Sequence, residues 1–156
     1  MAALSDFLEN ALIDWFFRGQ ALGVTGASAG AGSGPTNLYF GLLTAAPSDA
    51  GGGTEVTGGS YARVGVATSL ANFAGTQGAG TTTASTGTGG VTSNNGAITY
   101  PAPTADWGVI THFGVYDALS GGNLVTWAAL TQPKTVNNGD AAPSFAAAAF
   151  TFAFDT

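Results

Sequence analysis

The chain has 156 residues, enough for one domain that buries roughly 70% of the surface its unfolded form would expose. Its three basic residues stand against nine acidic ones, which argues against nucleic acid and an anionic membrane as partners. Cysteine is absent, so the protein forms neither disulfides nor thiolate metal sites.

The chain is also unusually poor in charge. Charged residues make up 8% of it, and none lies between Arg18 and Asp49 or between Arg63 and Asp106. Ordinary soluble domains contain about 25% charged residues, which keep their surfaces hydrated. A surface built instead from Gly, Ala, Ser and Thr indicates that much of it contacts other protein subunits.

The first predicted element is an α-helix over residues 4–17. Asp6 and Glu9 have the spacing of a capping box, Ser5 is an alternative N-cap, and Gly19 suits the position that follows a helix. Acidic residues interrupt the apolar ones and no basic region precedes them. We therefore expect neither a signal peptide nor a membrane span here.

This helix has a wide apolar surface and a narrow polar face, the latter formed by Asp6, Asn10 and Asp14. The apolar surface is either buried within its own domain or covered by a neighbouring subunit. If it is an interface, the predicted interface residues are Leu4, Leu8, Leu12, Trp15 and Phe16.

The remainder is predicted to be mainly β. A single domain over residues 1–156 would comprise the helix (1–19), a Gly/Ala linker (20–36) and a β-domain (37–156). Short alternating segments with Gly-rich turns favour an antiparallel β-sandwich, jelly-roll-like, or a barrel. Strands are predicted over residues 37–43, 61–66, 97–100 and 145–154.

The central element of this β-domain is a predicted hairpin over residues 106–130, which carries Trp107 and Trp127. Both faces of its first strand are largely apolar, as in a strand packed on both sides. Residues 75–90 contain no charge and no bulky apolar side chain. We expect them to be a flexible loop or an arm that a neighbour orders; residues 23–35 are a second candidate for such a contact.

Residues capable of catalysis are few. His112, the one histidine, could form a triad with Asp117 and Ser120 or Ser144, but no G-x-S-x-G motif is present. Asp117 also lies on the opposite strand face from His112. We therefore expect a packed or hydrogen-bonded histidine.

Candidate ligand sites are similarly weak. Asp49, Glu55 and the backbone of residues 51–53 could surround a calcium ion, although their spacing matches no EF-hand and a solvated loop is expected. Trp15, Trp107 and Trp127 could form a carbohydrate platform, but each lies in an apolar periodic segment, so we predict core positions. No cofactor and no small-molecule substrate is expected.

Three segments resemble a family of tailed-phage virion proteins: LSDFLENALIDWFFRG, LYFGLLTAAPSDAGGGTEVTGGSYAR and WGVITHFGVYDALSGGNLVTWAALTQPKTVNNGD, with a Phe-rich strand at the end. The resemblance covers most of the chain except residues 75–90. Members are often labelled tail-fibre proteins, while some resemble capsid decoration proteins. The resemblance implies a structural role and carries no catalytic residues.

The preferred hypothesis is a non-enzymatic decoration (cement) protein on the outer surface of the virion capsid. It would bind the major capsid protein and neighbouring copies of itself, as a homotrimer, and it has none of the heptads or repeats of a fibre shaft. The alternative is a tail or tail-fibre component that recognises host glycan through loops such as residues 45–60. A hydrolase that uses His112 is the third hypothesis.

Overall fold

The computed structural model describes residues 4–24 and 34–154. Within them the protein is mainly β, with antiparallel sheets and one N-terminal helix, consistent with the predicted β-sandwich. The elements in chain order are α1 (Asp6–Phe16), β1 (Asn37–Ala45), β2 (Thr54–Glu55), β3 (Val64–Ala67), β4 (Val91–Ser93), β5 (Ile98–Thr99), β6 (Gly108–Tyr116), β7 (Leu124–Val136), β8 (Ser144–Phe145) and β9 (Thr151–Ala153).

The chain folds into two compact units, each assembled from separate stretches. Unit 1 comprises Met1–Thr36, Ala67–Ile98 and Phe145–Thr156, and unit 2 comprises Asn37–Val66 and Thr99–Ser144. The single domain over residues 1–156 stays a prediction. Residues 25–33 of the predicted linker lie outside the described residues.

Unit 2 contains the main sheet, in which the strand order is β2-β1-β6-β7 and β3 also pairs with β1. In β1 the alternating Leu38, Phe40 and Leu42 are all buried, as their spacing predicts. β6 lies between β1 and β7, with Gly114 opposite Gly41 on one side and Trp127 on the other. The prediction of a central strand is therefore confirmed for β6, whereas β7 lies at the edge of the sheet.

Unit 1 combines α1 with an aromatic cluster. The ring of Phe17, just after α1, lies 5.7 Å from that of Phe73, 6.2 Å from that of Phe150 and 5.0 Å from that of Phe152, between centroids. Within this unit β4 pairs antiparallel with β9. These rings bury Phe17 at the C-terminal end of the helix.

The predicted strand over residues 145–154 is interrupted. β8 ends at Phe145 and β9 begins at Thr151, because the chain turns between them with Ala148 at a φ of 61°. The Ala149 N–H donates to the Ala146 carbonyl oxygen at 3.1 Å within this turn. Phe150 follows the turn and is 2% exposed, so it still completes the core as predicted.

At its N-terminal end α1 uses the alternative N-cap, Ser5, in place of the predicted Asp6–Glu9 capping box. Ser5 is the N-cap, and its side chain accepts a hydrogen bond from the Leu8 N–H at 3.4 Å. Gly19 adopts a φ of +65°, and a Cβ atom there would lie 2.7 Å from the Thr68 carbonyl oxygen. Glycine is thus required at this position by both its conformation and its close packing.

Candidate functional site

Three charged side chains on and just after helix α1 are buried. Glu9 is 4% exposed, Asp14 9% and Arg18 0%. The predicted wet face is therefore wrong at Asp14, and Asn10 is half-buried, while Asp6 is exposed as predicted. Buried charges require partners, so another part of the chain must supply them.

The partners come from residues 75–90 and from Phe73. Arg18 donates from Nη1 to Asp14 Oδ1 at 2.5 Å, from Nη2 to the Thr83 carbonyl oxygen at 2.6 Å and from Nε to the Phe73 carbonyl oxygen at 3.0 Å. Asp14 in turn accepts from the Ser85 N–H at 2.8 Å and from Ser85 Oγ at 2.6 Å. We call this cluster, formed by Asp14, Arg18 and Ser85 with the carbonyl groups of Phe73 and Thr83, the Asp14–Arg18 clasp.

A second contact pins the same segment one turn earlier on the helix. Asn10 Nδ2 donates to the Gly87 carbonyl oxygen at 3.0 Å, the Gly87 N–H donates to Thr76 Oγ1 at 2.9 Å, and Thr76 Oγ1 donates to Asn10 Oδ1. The composition of residues 75–90 predicts a loop or an arm ordered by a neighbour. The structure instead orders them on the chain's own helix through polar contacts. The spacing of Asp14 and Arg18, four residues apart, is the sequence signal that points to this pair.

In unit 2 a comparable polar cluster surrounds Arg63. Its guanidinium donates from Nε to Glu55 Oε1 at 2.8 Å and from Nη2 to Glu55 Oε2 at 2.7 Å, and Cζ lies 3.4 Å from the centre of the Tyr116 ring. Nη1 donates to the carbonyl oxygens of Ala118 and Gly121, both at 2.8 Å. Arg63 thereby ties β2 to the turn between β6 and β7.

Tyr61 completes this cluster from the other side of Glu55. Its hydroxyl donates to Glu55 Oε1 at 2.8 Å and accepts from the Leu42 N–H at 2.9 Å. Burial is the main cause that raises the pKa of Tyr61 well above its ordinary value, with the neighbouring Glu55 carboxylate adding to the rise. The phenol therefore stays protonated and acts as a structural donor.

His112 is packed and hydrogen-bonded, as predicted. Its Nδ1 lies 2.8 Å from Thr111 Oγ1, and its ring centre lies 5.8 Å from that of Trp127. Asp117, proposed for a triad, holds the following turn by accepting from the Asn123 N–H and side-chain amide, both at 2.7 Å. These bonds lower the pKa of Asp117, the side-chain bond most, and occupy its carboxylate with the turn.

The residues considered for calcium are not brought together as a site. Glu55 is bound in a bidentate pair by Arg63, which takes the charge that a cation would need. Among the described residues no three or more His, Asp and Glu side chains cluster at metal-binding distance. In the same ranges, 4–24 and 34–154, no helix has the length and apolarity needed to cross a bilayer.

Of the three tryptophans, only Trp107 is a core residue as predicted. It is 5% exposed, and its Nε1 donates to the Gly59 carbonyl oxygen at 2.9 Å. The prediction is wrong for Trp15 and Trp127, which are half-buried. Trp127 lies on β7, which within the described residues pairs with a neighbouring strand along only one of its edges.

Trp127 lines a groove that is a candidate ligand site. This groove, here called the Trp127 groove, has a volume of about 460 Å³ and lies between β7 and the turn after β1. Its polar lining includes Ser48, Asp49 and Thr126. Sites of this size are typical for small ligands.

The apolar face of α1 forms the other candidate surface. Leu4 is 41% exposed and Phe7 60%, while Leu8, Leu12, Trp15 and Phe16 are half-buried. A separate groove of about 450 Å³, lined in part by Phe7, Asn10 and Asp14, includes none of the five predicted interface residues in its lining. The predicted interface residues thus keep accessible surface, and their role as an interface stays a prediction.

A family model described as podophage GP4 fiber I protein gp80 matches residues 3–153, which is nearly the whole chain. No curated protein matches the sequence.

Proposed function

The chain belongs to the podophage GP4 fiber I protein gp80 family, and from that premise we propose that it is a non-enzymatic structural subunit of the virion's fibre. The observation that carries this proposal is the extent of the family match. It includes α1, every strand and both stretches of unit 2. Membership of this family makes the chain a virion component of a tailed phage. Its location in the fibre is the part that we propose.

The use of the ionisable residues supports a structural role. Asp14 and Arg18 hold residues 75–90 on the helix, and Glu55 and Arg63 hold the turn between β6 and β7. Asp117 closes the same turn. These five ionisable side chains hold loops in place, as a scaffold requires.

Within such a scaffold the accessible apolar face of α1 is proposed as the contact with neighbouring copies of this chain, in a homotrimer. Leu4, Leu8, Leu12, Trp15 and Phe16 are its residues, and Phe7 extends them. Contiguous apolar patches on a protein surface mark sites of contact with other proteins, which supports this assignment.

Capsid decoration, with the chain bound to the major capsid protein on the outer surface of the head, is the second candidate. It is favoured by the sequence itself, which contains no heptad or fixed-period repeat of the kind that builds a fibre shaft. The low charge, 8% of residues, suits either location because both bury subunit surface.

Immunogold labelling of intact particles distinguishes the two. If the chain is a fibre subunit, antibody raised against it should label discrete projections from the tail or the head surface. If it is a decoration protein, the antibody should label the capsid shell evenly. Particles that lack the protein altogether would contradict both assignments. Heat and low-salt challenge of virions without the chain gives a second readout, because only loss of a cement protein weakens the shell.

A further inference from the structure

We propose that the Trp127 groove binds an uncharged saccharide, with one sugar ring stacked on the Trp127 indole and its hydroxyls bonded to the Asp49 carboxylate. The proposal rests on the fibre role above for its biological use, as contact with a glycan surface. The binding itself can be measured on the purified chain.

Trp127 presents an aromatic surface that is held in place. Its backbone is paired with Gly114 in the sheet, and its ring is packed against His112 at 5.8 Å between centroids. Because the indole is only half-buried, part of it faces the groove. The C–H groups on one side of a pyranose ring carry partial positive charge, which the negative face of an indole attracts.

Asp49 lines the same groove and is displayed by a closed turn. Ser48 N–H donates to the Gly51 carbonyl oxygen at 2.9 Å, and Gly51 N–H donates back to the Ser48 carbonyl oxygen at 2.8 Å. Asp49 and Ala50 form the tip of this turn and are exposed. A carboxylate accepts from two neighbouring hydroxyls of one sugar, and a bond to an ionised acceptor is stronger than a neutral one.

A hydroxyl extends the polar rim. Ser48 Oγ donates to the Gly51 carbonyl oxygen at 3.0 Å, which leaves its lone pairs available to accept from a sugar hydroxyl. A flat aromatic surface with hydroxyl and carboxylate groups around it matches the two sides of a sugar ring, one apolar and one polar. Since the turn and the strand are already fixed, little ordering is required on binding.

Charge selects the class of saccharide. The groove contains the Asp49 carboxylate and is lined by no basic side chain, and the chain as a whole has a formal net charge of −6. Sialic acids, uronic acids and phosphorylated sugars would therefore be repelled. Neutral hexoses and N-acetylhexosamines remain as the fitting ligands.

The test uses the full-length purified chain on an array of neutral oligosaccharides of glucose, galactose, mannose and N-acetylglucosamine. Sialylated and glucuronic-acid oligosaccharides are included as anionic probes. Hits are titrated while the indole N–H resonances of the three tryptophans are followed by NMR. Neutral probes should shift the Trp127 signal and leave that of the buried Trp107 unchanged.

Variants locate the site. Trp127→Ala should weaken binding of the neutral hits by roughly tenfold or more, about 1.4 kcal/mol on the usual conversion. Val109→Ala, an exposed β6 residue outside the groove lining, should bind like the parent chain. Asp49→Asn keeps a polar side chain at an exposed turn. Because it removes the charge, it should reduce the ratio of the affinity for neutral probes to the affinity for anionic probes.

The outcomes that overturn the proposal are definite. They are the absence of any neutral hit, equal binding by Trp127→Ala and the parent chain, or tighter binding of anionic probes by the parent. Should Trp127→Ala fail to fold, two other results decide against the proposal. They are a Trp127 resonance in the parent chain that neutral probes do not shift, and an Asp49→Asn variant whose preference for neutral over anionic probes is unchanged. A failed array with fibres still labelled by antibody would reject the saccharide site and keep the fibre role.

Discussion

Arg18 donates to the Asp14 carboxylate at 2.5 Å inside unit 1, and its own side chain is fully buried. Both residues lie on or directly after α1, on the side that faces residues 75–90. The helix therefore uses charge, rather than its wide apolar stripe, to hold the part of the chain that contains no bulky apolar side chain.

Removing the cation should unfasten this segment. Arg18→Met leaves the Asp14 carboxylate buried without its partner, which should lower the free energy of unfolding by about 3–5 kcal/mol. Denaturant unfolding measures the loss, and a broad-specificity protease should then cut between residues 75 and 90.

Lys134→Met is the matched control, because it removes an exposed cation. Its free energy of unfolding should stay within about 0.5 kcal/mol of the parent value. If Arg18→Met is as stable and as protease-resistant as the parent, the clasp does not hold the segment.

Close packing around Gly41 gives a second prediction. A Cβ atom there would lie 2.9 Å from Glu55 Oε1, 3.0 Å from Tyr116 Cε2 and 3.2 Å from the Tyr61 hydroxyl. Gly41→Ala should therefore lower the free energy of unfolding by about 1–3 kcal/mol through overpacking. Gly96→Ala, where nothing lies within 4 Å, is the control and should be neutral. Equal stability of the two variants would show that the side chains around Glu55 can shift to accommodate the extra methyl group at little cost.

The buried phenols predict weaker folding in alkali. Burial is the main cause that raises the pKa of Tyr61, Tyr100 and Tyr116 above the ordinary 10.0. Unfolding releases these protons above pH 10, so the stability contributed by the protonated phenols is complete below that pH and falls as the pH rises through the raised values.

Urea unfolding at a series of pH values from about 8 to about 11 measures this decline. Tyr116→Phe keeps a ring beneath the Arg63 guanidinium and removes one of the phenols, so its stability should fall less steeply with pH. An identical slope in the variant and the parent would contradict the assignment to Tyr116.

The apolar face of α1 should matter for assembly more than for folding. Phe7→Ser and Leu4→Ser change side chains that are 60% and 41% exposed, so the free energy of unfolding should change by about 0.5 kcal/mol or less. Sedimentation velocity should nevertheless show weaker self-association, and less variant should enter virions. Val109→Ser, 48% exposed on β6, should assemble normally. Normal assembly of both helix variants would remove α1 from the interface.

The sequence alone determined what depends on local spacing. The alternation of Leu38, Phe40 and Leu42 correctly predicts β1, and the Ser120–Asn123 turn residues predict the hairpin of β6 and β7. Ser5 and Gly19 likewise mark the ends of α1. These features hold because side-chain periodicity and positive-φ positions are set within a few residues.

Only the tertiary structure decided which surfaces are covered. Spacing on the helix predicts a wet Asp14, but Ser85, from 71 residues further along the chain, supplies the donors that let it be buried. Trp127 follows an apolar core pattern, yet strand order places it at the sheet edge beside Asp49. Periodicity shows which residues lie on the inward and which on the outward side of a helix or strand. What lies against each side depends on contacts between residues distant in sequence, which no local pattern contains.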